Sequence, residues 1–262
     1  MFKLKKVSTF LAGILLSVPL FIGCSNQSSQ NKQDEVNTAF AAAIEKLKNT
    51  THEHATDVLE ASDPSIVRNN DTFKSMKWEY ETNYEVKTNS DGKPTDDKIT
   101  SEVLVKTTNT TDGKTTIKKT YIPGDGYKYV ESGNEKYKTE DKLSFQSFEY
   151  NFPYFNVECI DSLNLTTNGS QQTFNFTIKK DYKYADWDCG SYVKWDSDVE
   201  LVDYSGSLTV DDNSDTVKVV LNIGYKDKKT GATLKDTIIS ECDNSPHELT
   251  FPSDLSTYKE KA

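Results

Sequence analysis

Alternation is the clearest pattern in the chain. Trp78, Tyr80, Thr82, Tyr84 and Val86 take every second position between Lys77, Glu79, Glu81, Asn83, Glu85 and Lys87. That is the period of a strand with one buried face. The same period runs through Ile99, Val103 and Val105, then Ile117 and Tyr121, then Tyr127 and Tyr129. It returns at Phe174, Phe176 and Ile178, and again at Val217, Val219, Leu221, Ile223 and Tyr225. Turn formers separate the runs: Asp91-Gly92, Asp112-Gly113, Gly124-Asp125-Gly126, Gly133-Asn134, Asn168-Gly169, Asp212-Asn213 and Thr230-Gly231. Such pairs supply the positive φ of tight hairpins, and strands joined by tight hairpins are antiparallel neighbours. The pattern predicts a mainly β (α+β) chain, an antiparallel meander of about nine to eleven strands.

One segment ahead of the meander has a different period. Val36, Phe40, Ile44 and Leu47 fall on one helical face, with Ala41, Ala42 and Ala43 as helix formers. A helix over 36–49 is expected, ended by Asn49-Thr50-Thr51. A helix that short needs something to pack on. Two stretches break the alternation, 141–155 (DKLSFQSFEYNFPYF) and 181–198. The first reads as a short covering helix or segment and the second as an irregular insert. Residues 36–262 contain neither a linker nor a repeat, so a single domain is expected. A sheet of this size tends to curl. A curved half-barrel closed by the helix is the economical arrangement.

The N-terminus reads as an address. Lys3, Lys5 and Lys6 precede thirteen apolar or small residues, LAGILLSVPLFIG, at 11–23. That run is short for a helical span of about 20 residues but suits a signal peptide. Cys24 follows directly, and Phe21-Ile22-Gly23-Cys24 resembles the lipobox of bacterial lipoproteins, with Phe21 where that family prefers Leu. The resemblance implies cleavage after Gly23, lipidation of Cys24 and an anchor on the extracytoplasmic face of a bacterial membrane. The polar run at 25–35, SNQSSQNKQDE, has nothing to bury and is expected to be a flexible tether between the lipidated Cys24 and the domain.

Charge narrows the range of partners. The net charge is −10, and removal of residues 1–23 takes away three lysines and no acid, leaving −13. A nucleic-acid binder needs a basic face, so that class is excluded. An anionic leaflet repels such a chain, so buried acyl chains rather than charge must anchor it. Arg68 is the only arginine, which removes bidentate arginine clamps from consideration.

Candidate chemistry is sparse. Cys159, Cys189 and Cys242 allow one disulfide in any of three pairings, or three thiols. Their spacing, without nearby histidine, does not suit zinc. His52 and His54 share a face of a strand while Glu53 points away, so only two ligands converge and surface histidines are expected, His247 included. Ser191-Tyr192-Val193-Lys194 and Lys229-Thr230-Gly231 match pieces of the penicillin-recognising serine enzymes, but their spacing and the β-rich setting are wrong, and the second reads as a hairpin. Asp186, Asp188, Asp196 and Asp198 cluster around Gly190 without the ligand order of an EF-hand. Phosphate-binding glycine loops, nucleophile elbows and zinc-protease motifs are absent from the sequence. No catalytic residue, metal ligand or cofactor is assigned, and an enzyme is not expected.

The layout as a whole resembles the LolA/LppX-like lipoproteins. The matching features are the helix from Phe40 to Leu47, the meander, the strand pair Tyr127–Lys138, and the tail Leu249–Leu255. The resemblance implies a half-barrel over about 36–258 that holds an acyl chain or another apolar molecule between sheet and helices. The aromatic stripe then has two uses, as core and as ligand surface. The expected cavity lining is Trp78, Tyr80, Tyr84, Val86, Phe174, Phe176 and Ile178. The other reading is an envelope module with a filled core that recognises polysaccharide or a protein partner.

Overall fold

The computed structural model describes residues 29–62, 67–68, 71–72, 74–88, 90, 94–111, 114–140, 160–179, 199–228 and 230–261. The signal segment, Cys24, the inserts at 141–155 and 181–198, Cys159 and Cys189 lie outside the described residues. So do Lys229 and the Val86 side chain.

One helix, α1 (Ser29–Lys48), leads into β1 (His52–Ala61), the two-residue strands β2 (Val67–Arg68) and β3 (Asp71–Thr72), and β4 (Ser75–Thr88). Then follow β5 (Pro94–Thr111), β6 (Lys114–Ile122), β7 (Tyr127–Ser132), β8 (Glu135–Glu140), β9 (Ile160–Asn168) and β10 (Gln171–Ile178). The series ends with β11 (Val199–Asp211), β12 (Val217–Asp227), β13 (Thr233–Asp243), a 3-10 turn at Leu255–Thr257 and β14 (Lys259–Glu260). Twelve strands form one open, curved sheet in the order β14-β8-β7-β6-β5-β4-β1-β13-β12-β11-β10-β9, while β2 and β3 pair by themselves. The sheet thus exceeds the nine to eleven strands expected. Part of the excess is β14, a two-residue strand added in parallel to β8, too short to leave an alternation. All other pairs are antiparallel. Among the described turns, Gly133 (φ 59°) joins β7 to β8 and Gly169 (φ 61°) joins β9 to β10, as expected; Asp91-Gly92 and Asp112-Gly113 lie outside the described residues.

α1 begins earlier than the apolar stripe predicts, at Ser29 rather than 36. Residues 32–35 are exposed, and Gln, Lys and Glu continue a helix in water at little cost. The back half of the expected tether is therefore helical. The stripe itself packs as expected: Phe40, Ala43, Ile44 and Leu47 are buried on β9 to β13, and Val36 lies at the margin.

Register assigns every side chain to a face. Glu53, Ala55, Asp57, Leu59 and Ala61 of β1 stand opposite Cys242, Ser240, Ile238, Asp236 and Leu234 of β13. These in turn oppose Val217, Val219, Leu221, Ile223 and Tyr225 of β12. This is the face that carries α1. The far face holds His52, His54 and Thr56 on β1, Glu81 and Asn83 on β4, and Leu104, Tyr121 and Tyr129 on β5 to β7. The segment after β13 crosses this far face. Phe251, Leu255 and Tyr258 pack there on Tyr121 and Tyr129.

Candidate functional site

The residues expected to line a single cavity fall into three settings. Phe174, Phe176 and Ile178 lie under α1, no more than 3% exposed. The Phe40 ring sits between the first two, at centroid distances of 5.4 Å and 5.7 Å. Both contacts are tilted, within the favourable range for aromatic pairs. Gly206 makes room for this. It stands opposite Phe176, and a Cβ there would meet the Phe176 ring at 2.8 Å and the Val220 carbonyl oxygen at 2.5 Å. This half of the helix face is occupied by protein, and its aromatic residues serve as core.

Trp78 belongs to a second cluster. With Met76 and Tyr225 it packs on buried Leu59, Ala61 and Leu234. Tyr80 follows two positions on, opposite the small Ala55 and beside Val105. Met76, Trp78, Tyr80 and Tyr225 are each half-buried. The register places them on the helix face; Met76, Trp78 and Tyr80 stand on β4, which α1 does not cover, and Tyr225 stands on β12 beyond the residues that pack on α1. Acidic groups stand in the same rows: Asp57 opposite Trp78 and Asp236 opposite Leu59.

Tyr84 is used differently. Its hydroxyl donates to Glu53 Oε2 at 2.6 Å, and the Ser240 hydroxyl donates to Glu53 Oε1 at 2.6 Å. Ser240 is fully buried and touches the buried Cys242 thiol at 3.2 Å. Glu53 is itself only 7% exposed. Two hydroxyl donors hold a carboxylate that burial alone would penalise. The Tyr84 ring braces this network; it does not extend the aromatic row of Trp78 and Tyr80.

On the far face, tyrosines and carboxylates hold the C-terminal segment. Glu131 accepts from the hydroxyls of Tyr258 and Tyr121 and from Lys136, which also reaches Asp254 at 2.8 Å. The Tyr258 hydrogen bond, followed by the contacts of Lys136 and Tyr121, holds the Glu131 carboxyl below its ordinary range against the opposing effect of burial. Burial, then the neighbouring carboxylate, pushes Tyr121 and Tyr129 up to about 12. Tyr258 moves in the same direction for the same reasons.

His54 and His247 are exposed, as expected, but His52 is only 5% exposed, and its ring stacks on His247 at 3.5 Å between centroids. The pairing of β1 with β13 puts Asp243 opposite His52, and the next turn of chain brings His247 back over both. Sequence separation hid this. The one local signal was that Asp243 and His247 are four residues apart.

The chain matches no protein-family model and no curated protein.

Proposed function

We propose that this is a lipid-anchored extracytoplasmic protein that binds an apolar ligand, a lipid or acyl chain, on the part of its sheet that α1 does not cover. Binding on this reading involves no chemical step. The observation that carries the proposal is the division of the helix face. Phe40 fills the part under α1, while Met76, Trp78 and Tyr80 of β4, with Tyr225 at the far end of β12, form a half-buried row beside it. Each acyl methylene laid along that row and removed from water contributes about 0.8 kcal/mol. The Cys24 anchor would hold the site near the membrane that supplies such chains, and the curved sheet would act as a half-barrel around the ligand.

A second reading has its own support. Asp57 and Asp236 flank the aromatic row, and rings beside carboxylates also suit the apolar faces and hydroxyls of a polysaccharide. One experiment separates the two. The full chain, purified in detergent, is exposed to total membrane lipid or to envelope polysaccharide fragments and weighed by native mass spectrometry. A discrete lipid mass that is lost in Trp78→Glu and Tyr80→Glu, each shown to be folded by circular dichroism, supports the carrier. A mass gained only from the polysaccharide replaces it with the second reading, and a bare mass under both loads overturns both. The anchor is tested apart from the ligand: Cys24→Ala should move the protein from the detergent phase to the aqueous phase, and unchanged partitioning would remove the lipoprotein assignment.

A further inference from the structure

All three histidines of the chain gather at one place on the far face. His54 Nδ1 lies 2.6 Å from Glu81 Oε1, and His52 Nε2 lies 3.0 Å from Glu81 Oε2. His247 Nε2 lies 3.0 Å and 3.3 Å from the two Asp243 oxygens. The His52 Nδ1 atom is buried without a hydrogen-bond partner, and Asp243 Oδ1 stands 3.9 Å from it. That is too long for a hydrogen bond.

A carboxylate only accepts, so in the tautomer whose Nε2–H donates to Glu81 the Nδ1 of His52 presents a lone pair. That lone pair and the Asp243 carboxylate oxygen 3.9 Å from it are both groups that can donate to a cation. A carboxylate behind one imidazole nitrogen is also how ligating histidines are oriented and made more basic.

We propose that His52 Nδ1, His247 Nε2 and a carboxylate oxygen of Asp243 form a binding site for a divalent transition-metal ion of the zinc type. One donor atom from each residue lies within 4.8 Å of the other two. Tetrahedral zinc with bonds of 2.0–2.2 Å has ligand-to-ligand edges of about 3.3–3.5 Å. The His247–Asp243 contacts of 3.0 and 3.3 Å and the His52–Asp243 contact of 3.9 Å lie on either side of that length. Two imidazoles and a carboxylate suit zinc, copper or nickel better than calcium or magnesium. The charges of Asp243 and Glu81 together balance the ion.

The surroundings are built for holding these groups. Asn83 Nδ2 donates to the His247 carbonyl at 2.9 Å and fixes that residue against β4. The Ser245 backbone N–H donates to Asp243 Oδ1 at 2.8 Å and orients the carboxylate. One movement is required. A metal lies in the plane of each imidazole that binds it, so the stacked His247 ring must tilt off His52. His247 stands on the coil after β13 and is exposed, so it is free to tilt and the ion can reach the site from solvent. The Nε2 proton of His247 passes to Nδ1 as the metal takes its place.

The test uses the full chain in detergent, stripped with a chelator and titrated with zinc alone by calorimetry, with the metal content read by mass spectrometry. One zinc per chain is expected. His247→Ala and Asp243→Asn should each weaken binding by about tenfold or more, and Glu81→Gln by about 10–100-fold through His52. Cobalt gives a second readout that does not depend on any variant: the wild-type chain should show the visible absorption of a four-coordinate nitrogen and oxygen site, and zinc should abolish it. Absence of zinc binding by the wild-type chain would overturn the proposal. So would zinc binding that His247→Ala and Asp243→Asn leave unchanged, or a cobalt spectrum of six-coordinate, hydrated type.

Discussion

Truncation of Phe40 tests how the helix and sheet hold together. The side chain is fully buried and touches the rings of Phe174 and Phe176. Removing a buried phenylalanine to alanine costs about 3–5 kcal/mol, transfer and cavity together. That is a large part of the 5–15 kcal/mol typical of a domain. Ala43, Ile44 and Leu47 would still hold α1, and Phe174 and Phe176 would still lie on the strands, so the sheet should survive at a lower midpoint. At about 2–4 °C per kcal/mol for a chain of this size, the loss corresponds to about 6–20 °C in Tm. Urea unfolding followed by circular dichroism measures it directly, and an unchanged slope shows that the same surface is exposed. Phe40→Leu, which keeps most of the volume, should recover most of the loss. A change below about 1 kcal/mol for Phe40→Ala would refute the reasoning, because a phenylalanine wedged between helix and sheet cannot be removed so cheaply.

Two further outcomes follow from contacts already described. Gly206→Ala should cost about 1–3 kcal/mol, since the new methyl meets the Val220 carbonyl and the Phe176 ring closer than contact allows; a urea midpoint equal to that of the parent would show that the strand yields instead. The tie between Tyr258 and Glu131 should give a two-sided pH profile. The lowered Glu131 pKa contributes stability that is present above the ordinary carboxylate range and lost as pH falls through the depressed value. The raised tyrosine pKa values contribute stability that is full below the ordinary 10 and lost as pH rises through about 12 for Tyr121 and Tyr129. Tyr258→Phe should lower Tm at neutral pH and flatten the acid limb, and superimposable Tm profiles for the two proteins would argue against the tie.

The parts legible in the sequence are those written in local periods. Phe40, Ile44 and Leu47 announce the buried stripe of α1, and the alternation from Trp78 to Tyr84 announces one face of β4. Parity gives a face but not a place along the sheet. Trp78 and Phe176 do share a face, yet α1 covers one and not the other, and only the strand order shows this. Tyr84 keeps the parity of the stripe and is still diverted, because Glu53 beneath it needs a donor. The start of α1 was hidden because a helix turn exposed on all sides has no apolar period to display. The histidine cluster was hidden for a different reason: it depends on the pairing of β1 with β13, for which neither strand carries a local mark.

That pairing also governs how the chain comes together. The strands β4 to β8 and β9 to β13 are each runs of neighbours in both sequence and space, and β1 is inserted between β4 and β13. One side of β1 can close early, against β4. The other must wait for Leu234–Asp243, the last long strand to be made. Until then the central strand of the finished sheet has an open edge, with its backbone donors and acceptors unmatched. Contacts so distant in sequence form slowly, and open edges invite pairing with other chains. A chain truncated just before β13 should therefore be far more prone to self-association than one lacking only β14, because the first leaves the central strand open and the second only shortens an edge.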